Sequence, residues 1–281
     1  SPARRDLTGE LAEACRKKGL GLFLYYSYAA DWRHPFFYAR EAGWQRARPA
    51  YEPPEPSYLW SAGIAGLFTR EFYQQVREHL EPGGVFLQWV QGYQLGPADF
   101  KTVLRTLGSA FEQMSLWRGS PGDFLLLASP TPMRFTLKHL AAQYQRNPQL
   151  RAHFEEYLRI QEPAGLLGYF LLNDPELREL AAGAELNTDD RTVLEYRVPH
   201  SIYKFTADLN QFGVRAARRM VFPQFVEIAD PEATLLAGAE TQIRIGMLGQ
   251  ALGASFVLEL LRNPPDRVRS YWIRASVEHH N

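Results

Sequence analysis

The chain has 281 residues, 46% hydrophobic and 22% charged, enough to bury one large core or two modest ones and too apolar for disorder. Its 31 Lys and Arg balance 31 Asp and Glu, which excludes an overall field favouring nucleic acid or an anionic membrane, and the single Cys15 excludes an intrachain disulfide framework and a cysteine-rich zinc site. The apolar stretches at 19–28 and 246–258 fall short of the roughly 20 residues a membrane span needs, and SPARRD lacks the apolar core of a signal peptide, so no span and a cytoplasmic location are expected.

Asp6 caps a predicted helix over 6–18, with Leu7, Leu11, Ala14 and Cys15 on its apolar face and Gly19 or Gly21 closing it. Cys15 reads there as a small buried hydrophobe. The aromatic and aliphatic run at 22–26 suits a strand covered on both faces in a parallel sheet. Its end delivers Ser27, Asp31, Trp32 and His34 into a long aromatic loop that finishes in YEPPEPSY, so helix, strand and loop make half of a βα barrel unit. With YYS at 25–27 and D-W-x-H-P at 31–35, residues 4–58 resemble a segment of the alpha-L-fucosidase family of glycoside hydrolases. That family works with two carboxylates flanking a glycosidic bond. Its nucleophilic Asp, its acid/base and its His-His run fall outside such a segment and are not found here, and one strand-helix unit cannot close an eight-stranded barrel. In the parent fold Trp32 and His34 would stack on and hydrogen-bond a sugar; otherwise they fill an orphaned aromatic loop.

From residue 59 helices and strands alternate. Thr69 caps a predicted helix with Phe72, Val76 and Leu80 on one face, and Glu81-Pro82-Gly83-Gly84 ends it before a strand at 85–90. The next helix starts at Gly96-Pro97, with Phe100, Val103, Leu104 and Leu107 as its stripe. Strands at 113–118 and 123–129 flank the turn Gly119-Ser120-Pro121-Gly122. This is the hairpin ending of many methyltransferase-like sheets. A Gly-rich cofactor turn of the G-x-G-x-x-G kind occurs nowhere in the chain.

Four ordered motifs make the region 55–203 resemble the spermidine synthase-like family of polyamine aminopropyltransferases: E-P-S at 55–57, L-W-x-x-G-x-A-x-L-F-T-x-E-F-Y at 59–73, P-G-G-V-F-x-Q-W at 82–89 and L-N-T-D-D-R-x-x-L-E-Y at 186–196. The resemblance implies aminopropyl transfer from decarboxylated S-adenosylmethionine to a polyamine. This is an in-line displacement in which a carboxylate attracts the amine and takes its proton. Glu55 is the catalytic position it carries over, unless Pro53, Pro54 and Glu55 belong to the fucosidase-like segment. The nucleoside would sit on strands upstream of Glu55, where fucosidase-like sequence stands. The pocket is therefore expected to be incomplete, with decarboxylated S-adenosylmethionine a co-substrate only if it is complete, and no other cofactor.

Gln88 and Trp89 either face a ligand crevice at the carboxyl end of the sheet or satisfy backbone groups and pack under a loop. Asp189 and Asp190 either bind a cation or an amine, or form a turn between a helix and a strand, held by side-chain hydrogen bonds with Arg191 as counter-ion. His279 and His280 lack metal-ligand spacing, and no H-E-x-x-H exists, so no metal is expected. Helices are predicted over 135–145, 150–160, 175–182 with Asp174 as cap, 202–220, 231–246 and 247–262, followed by a weakly ordered tail.

The expected architecture is α/β: an N-terminal βα unit (1–58), the C-terminal half of a spermidine synthase-like domain (59–200) with a partial Rossmann-like methyltransferase sheet over about 59–130, and a helical C-terminal extension (201–281). The function it implies is a catalytically incomplete aminopropyltransferase whose small-molecule partner is a polyamine or a nucleoside. A fucosidase-related fragment and a non-enzymatic composite that binds another protein are the alternatives. An open sheet edge invites pairing with a second copy, so a homo-oligomer is a further expectation.

Overall fold

The structure is a computed structural model and describes residues 68–201 and 204–263. The chain divides into two units, Ser1–Trp60 and Ser61–Asn281, and the described residues belong to the second. The helix expected at 6–18, the strand at 22–26, Trp32, His34, Glu55 and the tail after 263 lie outside them.

Thr69 caps α1 (Arg70–His79), its hydroxyl accepting the Phe72 N–H at 3.2 Å, with acidic Glu71 in the first turn and basic Arg77 and His79 in the last. Phe72, Val76 and Leu80 pack against the main core as their spacing predicts. Gly83, at φ +77°, turns the chain toward β1 (Phe86–Gln91). Pro97 opens α2 (Pro97–Ala110), which buries Phe100, Val103, Leu104 and Leu107. The hairpin of β2 (Gln113–Arg118) and β3 (Asp123–Ser129) follows, with Gly122 at φ +90°.

These strands and β5 (Phe170–Asn173) form a four-stranded sheet in the order β1-β3-β2-β5, every neighbouring pair antiparallel. Because β1 and β2 both run against β3, they are parallel to one another, and α2 is the crossover between them. Among the described residues no strand pairs with the outer edge of β1. The register sets Phe86, Gln88 and Val90 opposite Ala128, Leu126 and Phe124. Phe86 meets the rings of Phe72, Tyr73 and Phe111, and Phe100 meets Phe124, so α1 and α2 cover that face. On the other face Trp117 packs against Phe170 and Phe225, while Leu87, Trp89, Leu125 and Leu127 stay half-buried.

The extension mixes strands into the helices. Phe135–Thr136 is a short strand, β4, paired parallel with Val226–Glu227 (β6), so α3 (Leu137–Arg146) starts later than predicted, capped by Thr136. Asn147 both ends α3 and caps α4 (Pro148–Glu156). The cap of α5 (Asp174–Leu180) is Asn173, in a reciprocal capping box with Glu176, rather than Asp174. Asp174 accepts the Met114 N–H at 3.0 Å and pairs with Arg178 at 2.7 Å. The strand expected after Arg191 is a helix, α6 (Val193–Arg197). The last three predicted helices shorten to α7 (Ala207–Ala217), α8 (Pro231–Arg244) and α9 (Ser255–Arg262). Gly253 at φ +69° separates a turn at Met247–Gly249 from α9. The 3₁₀ segment Pro163–Tyr169 and the wholly buried β5 had no signal, since four apolar residues do not distinguish strand from helix. The result is a mixed α/β unit, and none of its described helices is long and apolar enough to cross a membrane.

Candidate functional site

Ligands of open α/β sheets bind outside the carboxyl ends of parallel strands, which here are the ends of β1 and β2. Past β1, Gly92 donates its N–H to Gly122 O at 2.7 Å. The Gly92 carbonyl accepts from Asn210 Nδ2 at 2.7 Å and from Thr206 Oγ1 at 3.3 Å. Asn210 Nδ2 also reaches Leu95 O at 2.7 Å, and the Leu95 N–H donates to Thr206 Oγ1 at 3.1 Å. Thr206 and Asn210 are buried. The start of α7 therefore holds the backbone polar groups that a ligand would otherwise find on this loop.

Three charged groups at this end are perturbed by burial. Asp99, in the first turn of α2 and only 4% exposed, has its carboxyl pushed up by burial against the pull of Arg197 and His200. Arg197 Nε lies 2.8 Å from Asp99 Oδ1 without hydrogen-bond geometry, Arg197 Nη1 bonds Glu185 Oε2 at 2.8 Å, and Arg191 Nη2 bonds Glu185 Oε1 at 2.6 Å. Asp123, where β3 begins, is pushed up by burial and held down in part by a hydrogen bond with Trp89. Arg118 ends β2 nearly buried, and burial pulls its guanidinium down. Beside it, α7, the hairpin turn and the 248–251 segment enclose an open cavity of about 670 Å³.

Two of the four motifs meet elsewhere on the unit. The side chain of Asn187 is fully buried. It donates Nδ2 to Phe68 O at 3.1 Å and accepts the Leu194 N–H at 3.2 Å, while its backbone accepts from Arg70 N at 2.9 Å and donates to Thr106 Oγ1 at 3.0 Å. Glu71 Oε2 accepts the Asp189 N–H at 3.0 Å. Residues 68–71 and 187–194, far apart in the chain, thus share one polar network against α2.

Among the predicted site residues, Gln88 lies on the helix-covered face and donates Nε2 to the Trp89 carbonyl at 3.1 Å. Trp89 is on the opposite face, bonded to Asp123. Asp189 and Asp190 are exposed in a turn closed by a Thr188–Arg191 bridge. The counter-ion of Arg191 is Glu185 rather than either aspartate. Gln88 bonds the Trp89 backbone, whereas the Asp189 N–H bonds Glu71. Asp99, Arg118, Thr206 and Asn210 escaped the sequence reading. Asp99 reads only as a helix-start acid after Gly-Pro, and the others sit in no motif. Among the described residues no group of three or more His, Cys, Asp or Glu side chains could hold a metal ion. Comparisons with protein-family models, curated proteins and solved structures return no match.

Proposed function

We propose that this chain is a spermidine synthase-like α/β protein that does not by itself complete an aminopropyl-transfer site. What supports the family reading is the meeting of Phe68–Glu71 with Asn187–Asp189, residues of two separate motifs, together with a β1-α2-β2 crossover between whose two strands β3 is inserted antiparallel. The observation that carries incompleteness is the bonding of the loop after β1 to Thr206 and Asn210. That bonded loop and the lack of a Gly-rich turn in the sequence support this reading, and no catalytic step is assigned to the described residues.

The test incubates the purified chain with decarboxylated S-adenosylmethionine and putrescine. No spermidine is expected, and turnover above the uncatalysed background overturns the proposal. A melting-temperature rise with methylthioadenosine or spermidine would retain ligand binding without catalysis, since only a ligand favouring the folded state raises the midpoint. The non-enzymatic reading has one observation on its side: Phe205, Leu209 and Phe212 form an exposed apolar stripe at the start of α7.

A further inference from the structure

Phe205, Leu209 and Phe212 are 101%, 56% and 54% exposed. Leu209 and Phe212, three positions apart, share one face of α7, and Phe205 stands just before the cap Thr206. Apolar side chains of this size grouped in water are unfavourable in proportion to the area they expose. The backbone beside them is open to close approach: nothing lies within 4 Å of where a Cβ on Gly213 would stand, and Ala216 is exposed one turn beyond Phe212. Two opposite charges flank this row, Asp208 in the first turn of α7 and Arg215 in the last. Both are exposed, and neither makes an ion pair among the described residues. Their positions suit the helix dipole, but the dipole does not call for an apolar row between them. Seven residues apart, they are separated by about 10 Å along the axis, with Leu209 and Phe212 between.

We infer that this face of α7 docks a second copy of the chain, the two helices antiparallel across a two-fold axis. Asp208 of each copy then meets the partner's Arg215, Leu209 packs on the partner's Phe212, and Phe205 covers the partner's Ala216. A parallel pairing would set Asp208 against Asp208 and Arg215 against Arg215, so the charges select the antiparallel one. A foreign helix would have to carry the opposite charges at the same spacing, which this chain itself supplies. The seam is short, so the association is weak, with a dissociation constant of about 1–100 µM. It is independent of the aminopropyltransferase reading, because no residue of the seam belongs to the motifs at 55–57, 59–73, 82–89 or 186–196.

Sedimentation equilibrium of the full chain between about 1 and 300 µM tests this, and it reads assembly alone, whether or not spermidine forms. A reversible monomer–dimer equilibrium is expected. Phe212→Asp should abolish it by placing a charge in the apolar seam. Asp208→Arg and Arg215→Asp should each weaken it about tenfold, since the like-charge contact is made twice in a two-fold dimer. The double variant Asp208→Arg, Arg215→Asp swaps the two signs and should restore it, a rescue that a merely local effect on α7 would not give. All three side chains are solvent-exposed, so the variants keep the fold. A monomer at every concentration overturns the assignment. So does a dimer indifferent to Phe212→Asp, which would pair through another surface such as the outer edge of β1, or a weakened dimer that the double variant does not restore.

Discussion

Glu176 shows how much one buried carboxylate can organise. It is 5% exposed, accepts the Asn173 N–H through Oε2 at 2.8 Å, and through Oε1 accepts the N–H groups of Arg219 and of Met220, the latter at 2.8 Å. It also faces Arg218, whose guanidinium burial pulls down to about 10 against the pull of Glu176 itself. Glu176→Ala leaves three backbone donors and one cation without this acceptor, and should destabilise the unit by about 3–5 kcal/mol in urea unfolding. Glu176→Gln, which keeps one acceptor oxygen, should cost less. The local half of this arrangement stands in the sequence as N-D-P-E, a capping box, although the expected helix cap is Asp174. The reach to 219–220 has no such trace, because nothing in the chain near Glu176 names a partner more than forty positions away.

At the scale of elements, what is legible follows a local rule. The hairpin strands run over the predicted residues, 113–118 and 123–129, since a Gly-Ser-Pro-Gly turn between β-rich runs defines both ends. The start of α7 differs, 207 against a predicted 202, because Thr206 and Asn210 are drawn into bonds with the loop after β1. Close packing of α8 is equally silent in the sequence. A Cβ on Gly238 would stand 2.4 Å from the Phe256 ring, and one on Gly168 would stand 2.6 Å from Gly238 O, so the 3₁₀ segment and α9 approach α8 over glycines. Gly238→Ala should lower stability by about 1–3 kcal/mol in a melting experiment, even though the same change in a free helix favours it by about 1 kcal/mol. A gain in melting temperature would mean that Phe256 yields.

For the molecule as a whole, the carboxylates raised by burial give stability a pH slope. Asp99 and Asp123 bind protons more tightly folded than unfolded, so their contribution is full below the ordinary carboxylate range and is lost as pH rises through their raised native values. Glu71 acts in the opposite sense: burial raises it, but the Asp189 N–H, its own N–H and Arg70 outweigh that and hold it down, and as a mostly solvated group its effect is screened. The double variant Asp99→Asn, Asp123→Asn should therefore gain stability relative to the parent between about pH 4 and pH 7, read as the difference in urea midpoints at the two pH values. An equal difference at both would show that neither carboxyl is raised in the folded chain.

Caps, turns and apolar spacing in the sequence alone determined α1, β1, α2 and the β2-β3 hairpin, since each depends on neighbours within a few positions: Thr69 on Phe72, Pro97 on its own fixed φ, Gly122 on the hairpin. The tertiary structure decided the insertion of β3 between β1 and β2, the meeting of Asn187 with Phe68, the closure of the loop after β1 by Asn210, and the placing of Arg118 beside Gln250. In each of these a polar group taken out of water must find a partner, and which partner it finds depends on how the layers pack, a choice that no local pattern encodes.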